Sequence, residues 1–516
     1  MAQAAAGAPG APEAASVLER ALQKFGGRDA LRAIDSIYLE ASGVEHRSAE
    51  VQGYEAEAET AGSHHEILVV SPGQPKLIFE YRIETARLPN PEFQPSSQGR
   101  YRWRRFVYDG PVRRVGDFVT GFAMEMDRGP RNHVERQRLA RRVPFMLLLE
   151  ALENAAAARL QGTVQHQGRL HYVIHLPLPD SKAAASLLVD AESFLLSAAR
   201  YRADFPGLGD TDVEFTWSGY QPHPQLGVMP RQQAIRVGGR VYREMTFDAI
   251  RVNSSEVAEL AKLPARYGGS TAAPGSVEQI RPGVFLVHNL SGYTLMFVEF
   301  ADFVVALEAP ALHPQADQFP ADNQPGSASV SEEYIRKIKQ TLPGKPIRYV
   351  VVSHYHSDHA GGARAFVAEG TTVITTPDNR GFFERLAAAP SAIVPDAQSR
   401  AQQPLRLEMV TGHRTITDGI RSLALYNVGA NPHTAENLVA YLPAEKLLYQ
   451  GDLFYFDGLT LETRRAPVMH FLARWIERQK LSVDWIYGFH QRDPARWEEA
   501  QLLFRAYEAI RGNGGK

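Results

Sequence analysis

Residues 350–362 read Val-Val-Val-Ser-His-Tyr-His-Ser-Asp-His-Ala-Gly-Gly, and no other stretch limits the possible folds and chemistries so sharply. The valine-rich run at 347–352 predicts a short strand buried on both faces. Residues 360–369 predict a helix closed by Gly370. Three imidazoles and a carboxylate thus fall in a tight loop at the C-terminal end of a strand, where open sheets flanked by helices carry their sites. His354 and His356 are two apart, so extended backbone points both the same way, toward one metal ion. Asp358 and His359 follow where the chain turns and aim at a second point nearby. Neutral imidazole is the commonest metal ligand, and carboxylate oxygen accompanies it well on zinc.

The run His354-Tyr355-His356-Ser357-Asp358-His359 resembles the signature of the metallo-β-lactamase-fold hydrolases, and three further motifs follow in that family's order. Asn431-Pro432-His433-Thr434 resembles its single-histidine motif, Gln450-Gly451-Asp452-Leu453 its bridging-aspartate motif, and Tyr487-Gly488-Phe489-His490 its last-histidine motif. The resemblance spans roughly residues 276–510 and implies an α/β fold, an αββα sandwich of two facing sheets with helices outside. It implies that His354, His356 and His433 hold one ion, that Asp358, His359 and His490 hold a second, and that Asp452 bridges them. The donors suit two zinc ions; the same nitrogen-and-oxygen set would also take manganese or iron. Two ions sharing a water bring its ionisation toward neutral pH, and the resulting hydroxide attacks an electrophilic centre. The family suggests that Asp358 also takes or delivers a proton. Relatives carry an acidic residue behind the metal loop; here that position falls on Glu308 instead of the usual aspartate, a supporting acceptor rather than a ligand.

Asp452 stands where some zinc β-lactamases use cysteine, and Tyr455 stands where many carry a cationic anchor. The pattern resembles thioester hydrolases, lactonases and alkylsulfatases more than dedicated β-lactamases. The expected activity is cleavage of an ester, lactone, thioester or amide of a hydrophobic small molecule. Alternatives are β-lactamase or alkylsulfatase activity, or a periplasmic carrier of a lipid or other hydrophobic ligand whose metal domain is structural. Phe454, Tyr455, Phe456, Leu459 and Leu461 either line an apolar pocket or belong to the core. Arg464 and Arg465 read as a solvated face.

The remaining sequence bounds the setting. At 516 residues the chain holds two or three domains. It is 44% apolar and 22% charged, with a formal charge of −2, so no nucleic-acid partner is expected. It has no cysteine, hence no disulfide and no thiolate ligand. No stretch is long and apolar enough to span a bilayer, so no stable membrane insertion is expected. Residues 1–16 are rich in alanine, glycine and proline and lack the regions of a signal peptide. They resemble what remains after signal cleavage, which suggests a periplasmic or secreted protein.

Residues 12–25 predict an amphipathic helix ended by Gly26-Gly27. From there to about 253, short β-branched or alternating runs recur between turns, at 67–70, 76–82, 106–108, 172–176, 213–217 and 246–252, and 254–263 reads as a short helix. A helix is expected at 145–160. This mostly antiparallel β domain, 17–263, loosely resembles the lipoprotein-carrier domains that curve around an apolar cavity. Residues 264–276 read as a linker and 277–516 as the catalytic domain. Residues 313–330 read as a lid over the metals. His64 and His65 lack a partner at ligand spacing, His171 and His175 straddle a strand and read as surface or hydrogen-bonded core groups, and neither these nor His166 is expected to hold metal. His413 reads as a loop residue, and His470 as structural, within a helix.

Overall fold

The computed structural model describes residues 13–47, 59–85, 101–110, 112–118, 122–126, 130–178, 184–205, 207–264, 266–267, 273, 275–312, 326–454, 466–491 and 494–513. The first helix, Ala14–Gln23, buries Val17, Leu18, Ala21 and Leu22 on one face. Gly26 and Gly27 follow at φ 94° and 85°, a left-handed turn that side chains rarely adopt. A second apolar helix, Pro144–Glu153, lies against it, with the Phe25 and Phe145 rings 6.1 Å apart. Burying side chains of this size contributes about 1.5–3 kcal/mol each.

Around these helices, fourteen strands among the described residues form one sheet. Its pivot is Ile37–Arg47, paired antiparallel to Glu59–Val70 on one side and to Arg240–Val252 on the other. All but one of its pairings are antiparallel; the exception joins Arg266–Tyr267 to Phe122–Met126. Those two residues lie inside the expected linker, so part of it is a strand. The expected helix at 145–160 ends at Glu153, and a strand already begins at Arg159. A helix at Pro130–Ala140 was not expected at all.

The C-terminal half is built from two sheets. One has seven strands, with Val304–Leu307, Ile347–Val351, Thr372–Thr375 and Arg406–Met409 parallel to one another. The other has six, from His413–Thr417 to Ala495–Arg496. A single buried core draws on both sheets, with Phe297, Val350 and Ile374 from the first and Leu425, Leu442 and Tyr487 from the second. The helix Ser329–Thr341 covers the outside of the first sheet. Ala466–Gln479 and Trp497–Asn513 cover the second through Leu472, Trp475, Ile476 and Phe504. The half is therefore an αββα sandwich of the metallo-β-lactamase fold.

Several boundaries differ from expectation. The helix at 360–369 is broken at Gly361-Gly362 into Ser357–Ala360 and Ala363–Ala368. His413 opens a strand instead of lying in a loop. Of the expected lid, 313–325 lies outside the described residues, and Ser329 and Val330 already belong to a helix. Tyr455, Phe456, Leu459, Leu461, Arg464 and Arg465 also lie outside them. Phe454 is fully buried and packs on Phe504, so it belongs to the core. Among the described residues, no helix is long and apolar enough to cross a membrane.

Candidate metal centre

Four strand ends deliver the candidate ligands to one edge of the sandwich. Beyond Val351 the chain is held from both sides: Ser353 N donates to Glu308 Oε2 (3.1 Å), and Leu438 N donates to Ser353 O (2.9 Å). Ser353 Oγ lies 2.8 Å from His354 Nδ1, which leaves Nε2 to face the site. The loop folds back on residues 308–312, with Ala309 N donating to His359 O (2.8 Å) and Gly362 N to Ala309 O (2.9 Å). A Cβ on Gly362 would lie 2.1 Å from Pro310 O, so only glycine permits this approach.

The other ligands are fixed by local devices. Asn431 Oδ1 accepts from His433 N (2.9 Å) and Thr434 N (3.0 Å), an Asx turn that presents His433. Gln450 clamps the turn around Asp452: its Oε1 accepts from Leu453 N (2.7 Å) and Phe454 N (2.9 Å), and its Nε2 donates to Phe454 O (2.9 Å). Gly451 lets this turn reach the metal loop, since a Cβ there would sit 2.6 Å from Ser353 Oγ and 3.3 Å from His359 Cε1. Phe489 stacks between Tyr293 (4.4 Å) and His359 (4.1 Å) and so aims the following His490.

The resulting geometry brings all seven sequence-singled residues together. His354, His356, His433 and Asp452 form one group of donors lying within 4.8 Å of one another, and Asp358, His359 and His490 form another. Asp452 lies between them. Its Oδ2 is 3.1 Å from His433 Nε2, and its Oδ1 is 3.1 Å from His359 Nε2 and 3.2 Å from His490 Nε2. His354 Nε2 and His433 Nε2 are 3.2 Å apart. Asp358 Oδ2 is 3.1 Å from His490 Nε2.

These donors fit bound cations. His359 Nε2 and Asp452 Oδ1 are buried and face each other at 3.1 Å without a well-aligned hydrogen bond, an arrangement of buried polar groups that a shared cation would satisfy better. Electrostatics agrees. Burial pushes the His354 imidazole well below its ordinary range, and His359, His356 and His433 push it further, so it is a neutral donor. Burial alone would lower His359 too, but Asp452, Asp358 and Glu308 around it raise it well above the ordinary value. Burial would raise Asp452, yet His490, His359 and His433 hold it well below the carboxylate range. The site thus keeps Asp452 ionised between the two groups of imidazoles.

Glu308 is buried, with Oε1 3.4 Å from His359 Nδ1. It supports the ring from behind, as the sequence suggested. Sequence reasoning missed Asn431 and Gln450 as positioning groups. The short Asn-x-His-Thr spacing was a usable turn signal; nothing local marked Gln450. His64, His65, His166, His171 and His175 join neither donor group. His64 is instead buried between Glu45 (3.0 Å) and Glu66 (3.1 Å), and His470 bonds Glu508 (2.9 Å).

Residues 327–511 match the family model described as the metallo-beta-lactamase superfamily, and they include all seven residues. The model leaves 1–326 unmatched, so the lipoprotein-carrier likeness remains a reading of that half's sequence alone. No curated protein matches the chain. Among solved structures, the chain is similar to the metallo-beta-lactamase FIM-1 from Pseudomonas aeruginosa in its mono-zinc form, at 18% identity and a TM-score of 0.32, covering 46% of this chain and 96% of that one. It is similar also to the metallo-beta-lactamase from Pontibacter korlensis (18% identity, TM-score 0.30, 45% and 97% covered). A third is that of Erythrobacter litoralis (16%, 0.31, 46% and 98%). Likenesses this distant carry no argument about chemistry. The family match and the donor cluster together point to a metal-dependent hydrolase.

Proposed function

We propose that the metallo-β-lactamase-fold half is a dinuclear, zinc-dependent hydrolase of an ester, lactone, thioester or amide in a hydrophobic small molecule. The observation that carries this reading is the pair of donor groups meeting at Asp452, all nitrogen and oxygen. His354, His356 and His433 would hold one ion, Asp358, His359 and His490 the other, with Asp452 shared. Bound there, the ions would supply Lewis acidity and a water that ionises near neutral pH.

The chain's own residues do the rest. Asp452 stays anionic and sets the spacing of the two groups. Glu308 and Ser353 fix the ring orientations of His359 and His354. The Asp358 side chain is 17% exposed, so its carboxylate reaches solvent while touching His490. That position suits a group that collects a proton from the attacking water and passes it to the leaving group. A carboxylate in place of a thiolate at 452 supports the esterase-like reading over a dedicated β-lactamase.

The test is to strip the protein with a chelator, reload it with Zn2+, and measure metal content and turnover on thioester, lactone, sulfate-ester and β-lactam probes. The expected result is about two ions per chain and chelator-sensitive turnover of a thioester or lactone. Retained metal with no turnover on any probe would sink the hydrolase reading in favour of a carrier with a structural metal domain. A protein that binds no Zn2+ would sink the metal centre itself.

A further inference from the structure

We propose that the β-hairpin of the N-terminal half formed by Leu196–Phe205 and Gly209–Ser218 is a positioning element of the metal centre, with Asp204 as its principal contact. The inference rests on the metal-centre reading above and adds a role for the other half of the chain.

The hairpin tip is seated against the C-terminal half at three places. Asp204 accepts two hydrogen bonds from Ser327, at Oδ2 from the backbone N (2.6 Å) and at Oδ1 from Oγ (3.0 Å). Asp210 accepts from Ala392 N (2.6 Å) and Ile393 N (3.2 Å), and its own N donates to Pro390 O (2.8 Å). Between them the backbone comes close enough to demand glycine. A Cβ on Gly207 would lie 2.8 Å from the Phe382 ring and one on Gly209 2.3 Å from Pro390 O, and both have left-handed φ, 81° and 69°.

Each landing point leads directly to the metal loop. Ser327 O accepts from Leu312 N (2.8 Å). Leu312 ends the 308–312 segment that bonds His359 O and Gly362 N and contributes Glu308. Pro390 precedes Asp396, which Arg364 grips at 2.5 and 3.2 Å, and Arg364 lies on the helix that leaves the metal loop. Arg364 also donates to Ala389 O (2.9 Å). The Phe382 ring centre lies 6.3 Å from that of Tyr355, which stands between His354 and His356. The hairpin therefore braces the segments on both sides of the ligand-bearing turn.

The choice of residue fits placement better than adhesion. Burial pushes the Asp204 carboxyl up, and Asp210 and Asp396 nearby add to this, while Ser327 opposes it. A packed apolar contact would hold two domains together without that penalty. A half-buried carboxylate with two directed bonds specifies one arrangement.

The test uses the whole 516-residue chain with Asp204→Ala and, as a milder variant that guards against loss of folded yield, Ser327→Ala, which removes only the hydroxyl bond. Zn2+ affinity is measured by competition with a chromogenic chelator, and the visible spectrum of the Co2+-loaded protein reports ligand geometry. Outer supporting groups typically change metal affinity by about 10–100-fold. One layer further out, the expectation is about 5–10-fold weaker Zn2+ binding for Asp204→Ala and a smaller loss for Ser327→Ala, each with a shifted Co2+ spectrum. A lowered melting temperature with unchanged Zn2+ affinity and superimposable Co2+ spectra would overturn the proposal, leaving the contact as mere adhesion. Wild-type protein that binds no Zn2+ would overturn the metal-centre reading first, and this inference with it.

Discussion

Asp452 touches imidazoles of both donor groups, so its removal should be felt by both. Asp452→Ala is expected to lose at least one ion and to weaken Zn2+ binding by more than about 100-fold, beyond the range for a merely supporting group. His470→Ala should leave metal content unchanged, and atomic emission on the dialysed proteins compares the two. The pH dependence has a worked sign. His359 in the metal-free protein is raised above its ordinary value of 6.5, so a proton must leave before its nitrogen can bind metal. Zn2+ affinity should fall on acidification below that raised value, by up to about tenfold per pH unit for this one proton. Stability of the metal-free protein runs the other way. The stabilising contribution of protonated His359 is complete below pH 6.5 and is lost as pH rises through the raised value. Melting curves of chelator-treated protein should therefore drop on the alkaline side while Zn2+ affinity climbs; parallel trends would contradict the assignment. At this scale the sequence was legible wherever a motif is local. His354, His356, Asp358 and His359 fall within six consecutive positions, whereas Gln450 acts through backbone groups of residues 453 and 454 and carries no residue-type signature.

Between elements, the close contacts are set by glycine. Gly451→Ala would drive a methyl group to 2.6 Å from Ser353 Oγ. We expect it to destabilise by about 1–3 kcal/mol, as overpacking does, and to weaken Zn2+ binding as well, since His359 is the next neighbour. Denaturant titrations with and without Zn2+ measure both; an unchanged midpoint would mean that the turn relaxes freely. The elements around this point were readable because buried parallel strands such as Ile347–Val351 are continuous apolar runs. Elements with a mixed surface were not. Only the apolar end of Glu59–Val70 was visible, because the stretch before it carries Glu59, Ser63, His64, His65 and Glu66. Pro130–Ala140 carries Arg131, His133, Glu135, Arg136 and Arg138 around a lone Val134 and gives no helical period. His413–Thr417 is short and polar, so it passed as a turn.

Across the whole molecule, the apolar interiors of the two halves are separate, and polar contacts at the hairpin tip join them. Interfaces of this kind allow the parts to unfold individually. Calorimetry of the Asp204→Ala/Asp210→Ala protein should resolve two transitions. Only one should rise with Zn2+, by about 2.7 kcal/mol at a hundredfold excess over the dissociation constant. A single transition that shifts as a whole would mean the halves are fused by contacts other than these. The composition and motifs pointed to a two-part chain, but pairing across the halves depends on Asp204 and Asp210, which look like ordinary strand-end residues until the fold brings Ser327 and Ala392 to them. The central pairing of the large sheet has a further consequence. Its pivot strand, Ile37–Arg47, must wait for Arg240–Val252 before one whole edge is covered. During synthesis the early strands therefore emerge from the ribosome with an unpaired flank, open to wrong pairing until nearly half of the chain has been made.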